Sequence, residues 1–297
     1  MSMQRLQGLF FCCGAMLLAA LAATLGPLGS QIELLVVASL ILVLGVPHGA
    51  LDTIFARQIY GIQTLRGWIC FGAIYLLLSA LVVAVWLIQP AIFLLAFLLI
   101  SALHFSGDPA QGTPWLARAL YGGAVVILPA ALHSVETARL FSLLAGESAA
   151  VLVMPWLYHL SWPWLAALLF AAIERLRADW VTAFELFSVA VLSVVAPPLL
   201  SFTLFFCAMH SARHILRTID YSAKSSRLFV LGSALLPMFG VLAVSYVAWY
   251  FLQTTPIDAR IIQIVFVGLA ALTVPHMALV ERVRLSGWVN PKTTHIK

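Results

Sequence analysis

The histidines and aspartates are the residues most able to do chemistry in this chain. His210-Ser211-Ala212-Arg213-His214 sets two imidazoles four residues apart, on one face of a helix and about one turn from each other. Two neutral ring nitrogens so placed can bind one metal ion. His48 opens the run HGALD and His104 the run HFSGD, so each has an aspartate four residues on, Asp52 and Asp108. These carboxylates are candidates to accept the outer ring N–H of a ligating histidine and fix its tautomer. Direct ligation and solvation at an interface are the alternatives. His276, in Val274-Pro275-His276-Met277, has three readings: a further ligand, a donor behind the ligands, or a substrate contact.

The segments that must position these residues are hydrophobic. Of 297 residues, 63% are apolar and only 9% charged, with a mean hydropathy of +1.05. A soluble domain carries roughly a quarter charged residues, so a soluble enzyme and a disordered regulator are excluded. The net charge of +5 is scattered between apolar runs and never forms a basic stripe, which excludes nucleic acid as a partner. The class left is an all-α, polytopic transmembrane helical bundle embedded in a lipid bilayer, a single integral membrane domain over 1–297. Apolar stretches of about 17 to 25 residues mark about ten spans: 7–26, 32–51, 68–88, 91–107, 116–133, 155–173, 181–198, 200–218, 228–252 and 262–281. The N-terminal span is read as an uncleaved helix rather than a signal peptide, because its removal spoils an even count. Glu136, Arg139 and Glu147 interrupt 134–154, which is read as an external loop with an interfacial or re-entrant piece. A tail follows from about 282 to 297.

With both termini in the cytoplasm, fourteen of the sixteen Lys and Arg residues fall on the inner side and only Arg139 and Arg260 outside. That asymmetry predicts an N-in, C-in protein of the cell membrane. The nine tryptophans lie at or near span ends, as interfacial rings do. The four cysteines show no CxxC spacing and read as small apolar side chains. Threaded this way, His48, His104, His210, His214 and His276 share one layer, the cytoplasmic third of the bilayer. His133 and His159 suit the outer aromatic belt, and His295 lies in the tail. Ionisable side chains inside a membrane are costly and mark function by default. If the second, fourth and eighth spans converge, His48, His104, His210 and His214 deliver four nitrogen ligands to one point. Arg213 faces another way and is expected to snorkel to headgroups, and Gly45-Val46-Pro47 is expected to kink the span that carries His48. Phe105 and Phe206, next to the histidines in sequence, are read first as packing residues, with lining of a substrate tunnel as the alternative.

Nitrogen-only ligation suits iron, copper, zinc or nickel. Apolar surroundings favour a lipid-soluble substrate and dioxygen over a hydrolytic reaction, and ferrous iron fits that pairing. The residues GVPHGALD (45–52), HFSGD (104–108), HSARH (210–214) and PHM (275–277), in this order, resemble the Brp/Blh family of microbial β-carotene 15,15′-dioxygenases from the second span to the tenth. The resemblance implies an Fe(2+)-dependent membrane oxidoreductase that splits the central double bond of β-carotene with O2 into two retinals. It also implies His48, His104, His210 and His214 as the iron ligands, and a functional link to a retinal-binding rhodopsin. The sequence departs from the family pattern at Ser106, where glycine is usual, which bears on the turn beyond His104 and on substrate preference. The chain has one HxxxH and no HH pair, which argues against a diiron desaturase, and His210 and His214 cannot ligate opposite faces of one haem, though either could pair with His48 or His104. A transporter or metal-ion carrier using the same His and Asp residues is the competing class.

Overall fold

The computed structural model describes residues 2–25, 30–222 and 227–285, and all regular structure among them is helical. The end of the tail, with His295, lies outside the described residues. Among the described residues, seven helical stretches are long and apolar enough to cross a membrane: Met3–Leu25, Ile32–Tyr60, Leu65–Ile88, Glu147–Arg175, Pro198–Tyr221, Gly232–Phe251 and Ile257–Arg284. Three shorter apolar helices, Pro90–Phe105, Trp115–Ile127 and Trp180–Val195, stand where the fourth, fifth and seventh spans are expected.

In chain order the helices are α1 (Met3–Leu25), α2 (Ser30–Leu40), α3 (Pro47–Ala50), α4 (Asp52–Tyr60), α5 (Leu65–Ile88), α6 (Pro90–Phe105), α7 (Trp115–Ile127), α8 (Pro129–Leu132), α9 (Ser134–Ala145), α10 (Glu147–Arg175), α11 (Trp180–Val195), α12 (Pro198–Leu204), α13 (Ala212–Tyr221), α14 (Arg227–Phe251) and α15 (Ile257–Leu285). Proline begins α3, α6, α8 and α12, where its missing N–H costs nothing and its fixed φ suits the first turn. Gly61, at φ 63°, ends α4 in the left-handed conformation that glycine adopts without penalty.

Residues 134–154, expected as an external loop with an interfacial or re-entrant piece, are almost wholly helical. They form α9 and the first two turns of α10, separated by Gly146 at φ 89°. One of the charges that break the hydropathy pattern, Arg139, pairs with Asp258 of α15 at 2.8 Å.

Two stretches wind as π-helix rather than α-helix, Ile41–Gly45 between α2 and α3, and Phe205–Ser211 between α12 and α13. Such turns widen the helix by one residue and recur at functional sites. The first of them ends at Gly45, where the sequence leads one to expect a kink. The two π turns meet: a Cβ on Gly45 would lie 2.4 Å from the Phe206 ring.

A tighter contact joins α6 and α7. A Cβ on Gly122 would lie 2.1 Å from the Ala102 carbonyl oxygen and 2.5 Å from the Ser106 nitrogen, both backbone atoms with no room to move aside. Gly122→Ala is therefore expected to destabilise the bundle by about 1–3 kcal/mol through overpacking. Gly268→Ala meets nothing within 4 Å and gains helix propensity. Thermal unfolding in detergent should show a lower midpoint for the first and an unchanged or higher one for the second.

Candidate metal centre

Five imidazoles converge where α3, α6, α13, α15 and the second π turn meet. His48, His104, His210, His214 and His276 are all buried. His48 lies with its ring centroid 5.1 Å from His210, 5.5 Å from His214 and 5.1 Å from His276. His104 lies 4.5 Å from His210 and 5.1 Å from His276, and His214 lies 5.0 Å from His276. His48, His104 and His276 can each bring one ring nitrogen within 4.8 Å of the other two, a spacing that could hold a metal ion. His276, left open in the sequence, thus belongs to the closest triad, and His210 and His214 pack against it.

Four of the five rings stand at an irregularity in their helices. His48 follows the first π turn and begins a four-residue helix; its Nδ1 donates to the Gly45 carbonyl and lies 3.1 Å from Ser211 Oγ. His104 is in the last turn of α6, and the turn beyond it is held by three arginines. Arg118 donates to the Ser106 carbonyl at 3.0 Å, Arg217 to those of Gly107 and Asp108 at 2.9 and 2.8 Å, and Arg213 to that of Asp108 at 3.1 Å. Ser106 has φ −60° and ψ −15°, a right-handed conformation that needs no glycine, so the departure at this position leaves the turn intact.

His210 sits in the second π turn, whose widened winding frees backbone carbonyls. Gln7 of α1 answers them, donating to Ala208 at 2.6 Å and Met209 at 3.3 Å. His276 follows Pro275, which has no N–H and leaves the carbonyl four residues earlier unpaired. That carbonyl, Ala271, accepts from Ser79 Oγ at 2.9 Å.

The aspartates serve histidines other than their sequence neighbours. Asp52 accepts from His276 Nδ1 at 2.6 Å and from Tyr75 Oη at 3.0 Å. Asp108 accepts from His210 Nδ1 at 3.1 and 3.0 Å. With Nδ1 occupied as donor, the neutral ring presents Nε2 as the free lone pair. Nε2 of His104, His210 and His276 is buried without a hydrogen-bond partner. Buried polar atoms are rarely left so, and three imidazole nitrogens orphaned in one cluster fit a metal held by nitrogen donors.

Two readings of single residues change. Arg213 does point away from the histidines, but it is buried rather than snorkelling. It forms a two-pronged ion pair with Glu185 of α11 at 2.6 and 3.0 Å and donates to Gln7 Oε1 at 2.9 Å. A Cβ on Gly8 would meet Glu185 Oε1 at 2.0 Å, so α1 approaches this pair at its glycine. Phe105 and Phe206 do more than pack: both line a cavity with His48, His104 and His276. His133 and His159 stand away from the cluster; the first shares a hydrogen bond with the Val195 carbonyl at 3.2 Å, and the second lies against Tyr158.

The family model described as Beta-carotene 15,15′-dioxygenase matches residues 39–283, a span that holds all five histidines and both aspartates. The chain belongs to the β-carotene 15,15′-dioxygenase family. A relative named Beta-carotene 15,15′-dioxygenase, from an uncultured marine bacterium (66A03), is 32% identical over 260 residues, covering 82% of this chain and 91% of the relative. A protein named Probable beta-carotene 15,15′-dioxygenase Blh, from Halobacterium salinarum, is 28% identical over 277 residues, 80% of each chain. No solved structure matches significantly. Family membership makes this chain an oxidoreductase, and the multi-pass helical bundle suits a membrane-embedded member of that dioxygenase family.

Glu185, Gln7, Ser79 and Tyr75 escaped the sequence reading. Glu185 left a trace there, as the sole charge between Val181 and Val195. Removing one partner of a buried ion pair strands the other, at about 3–5 kcal/mol. Glu185→Ala should therefore lower the unfolding midpoint sharply, and Glu185→Leu combined with Arg213→Met should recover much of the loss. Thermal unfolding of the three proteins in detergent checks this.

Proposed function

We propose that this chain cleaves the central 15,15′ double bond of β-carotene with dioxygen at one ferrous ion, releasing two molecules of retinal. The observation that carries the reading is the converging set of buried imidazoles with orphaned Nε2 atoms, in a chain of this family. His48, His104, His210 and His214 would hold the ion, as the motif histidines, and His276 would join them as a fifth nitrogen. Iron(II) held there would supply binding and activation of O2.

The chain's own residues do the rest. Asp52 and Asp108 fix His276 and His210 as Nδ1–H tautomers and hold their rings in place. Ser211 and the Gly45 carbonyl do the same for His48. Val46, Phe97, Phe105, Phe202, Phe206 and Leu269 wall the space beside the histidines, giving a polyene dispersion contacts and excluding water. No acid or base is required: one C=C bond breaks, and both atoms of one O2 end in the two aldehydes. Binding along the rod decides which bond is cut, a matter of orientation.

The same reading makes the chain a single integral domain of the cell membrane, crossing about ten times with both termini cytoplasmic. The fourteen-to-two distribution of basic residues supports that orientation. β-Carotene, dissolved in the bilayer, would enter laterally, and the retinal released would supply a retinal-binding rhodopsin. A metal-ion carrier would need carboxylates free along a path, whereas Asp52 and Asp108 are committed to His276 and His210.

Expression in bacteria that accumulate β-carotene tests the activity. The intact chain is expected to bleach the cells and yield retinal, and His210→Ala to leave the carotenoid intact; unchanged β-carotene with the intact chain, well expressed and supplied with iron, would refute the reading. Asp52→Asn keeps every histidine but loses the carboxylate behind His276. It should weaken iron binding about 10–100-fold, read as metal retained after dialysis against a graded chelator.

A further inference from the structure

A second cavity lies beyond Phe97 and Phe202, walled by α6, α7, α8, α9, α12 and α15, and every side chain lining it is apolar except Thr137. Phe97 and Phe202 line both this cavity and the one beside the histidines, so the two spaces adjoin through these rings. A ladder of parallel rings leads from one to the other. His210 stacks on Phe206 at 5.7 Å and 18°, and Phe206 stacks on Phe202 at 5.4 Å and 11°. Phe266 completes the wall, 5.2 Å from Phe202 and 6.3 Å from Phe97.

The distances match half a substrate. β-Carotene is a rod of roughly the hydrocarbon thickness of a bilayer, about 30 Å, so its central bond lies about 15 Å from each end. Along a helix about 15 Å is ten residues. Phe266 stands ten residues before His276 on α15, and Phe97 stands seven before His104 on α6. The outer five ångströms or so of such a half-rod, occupied by its ring, therefore fall at the level of Phe97 and Phe266, where the second cavity opens. We infer that this cavity is the subsite for one end ring of the carotenoid, and that its depth sets the 15,15′ bond beside the histidines. The inference rests on the β-carotene reading above. Central cleavage then follows from where the ring stops, with no group needed to recognise the middle of a featureless chain.

Val125 lines the cavity and is only 4% exposed, so bulk added there must enter the cavity. The test uses purified full-length chain in detergent, wild type beside Val125→Phe and Val125→Ala. Iron content, KM and kcat for β-carotene, and product lengths by chromatography are measured. The metal-free proteins are also titrated with β-carotene and followed by the circular dichroism that a chiral site induces in the polyene. Val125→Phe is expected to raise KM at least tenfold at unchanged iron content and to lose the induced signal. Val125→Ala is expected to let the rod slide and to give aldehydes of unequal length beside retinal. A Val125→Phe enzyme with KM within twofold of wild type, and retinal alone, overturns the inference. If that variant does not fold, Val125→Ala with wild-type KM and retinal alone overturns it instead. Failure of the wild type to cleave any carotenoid would count against the β-carotene reading itself. The cavity would then be judged on the dichroism: a signal lost only in Val125→Phe supports it, and no signal in the wild type overturns it.

Discussion

Five imidazoles buried in an apolar bundle impose the constraint on which the rest of this structure depends. In the proposed site each would present a nitrogen to a shared point, and a straight α-helix rarely points a side chain where three other helices also need it. The chain answers by breaking its helices at or beside the histidines: a π turn before His48, a π turn around His210, a helix end at His104 and a proline before His276. Each break frees backbone groups that no lipid can satisfy. Side chains from neighbouring helices take them up: Gln7 at the second π turn, Ser79 at Ala271, and Arg118, Arg213 and Arg217 at the turn that follows His104. The site and the polar contacts between helices are thus one system. α5 illustrates it, since none of its residues is fully buried, yet Tyr75 and Ser79 brace Asp52 and α15.

The histidines were legible in the sequence because depth is a property of distance along an apolar run, and a run of known length fixes which residues share a layer. The role of carboxylates behind them was legible too, but their partners were not. The i, i+4 rule that pairs His48 with Asp52 and His104 with Asp108 needs a continuous helix. α3 ends at Ala50 and α6 at Phe105, so each aspartate lies past a break and turns toward a different helix. The π turns left no signature in hydropathy, which is why Phe206 read as packing. Segment 134–154 reads as an external loop with an interfacial or re-entrant piece because Glu136, Arg139 and Glu147 interrupt its apolar run, and the partner of Arg139, Asp258, is 119 residues away in sequence.

The buried Glu185–Arg213 pair shows how the same economy extends beyond the histidines. Arg213 occupies a position between two site histidines yet serves the opposite side of its helix, binding α1, α11 and the Asp108 carbonyl at once. The N-terminal helix, which could pass for a leader, is thereby tied to the site through Gln7 and Gln4.

The contact between Gly45 and Phe206 has a consequence for how chains of this kind can change length. Each π turn holds one residue more than an α-helical turn would, and one residue of helix corresponds to a rotation of about 100°. Losing a single residue from either turn would restore regular winding there and swing the histidine beyond it away from the cluster. Between residues 41 and 48 and between 205 and 214 the residue count itself is therefore part of the geometry that gathers the histidines.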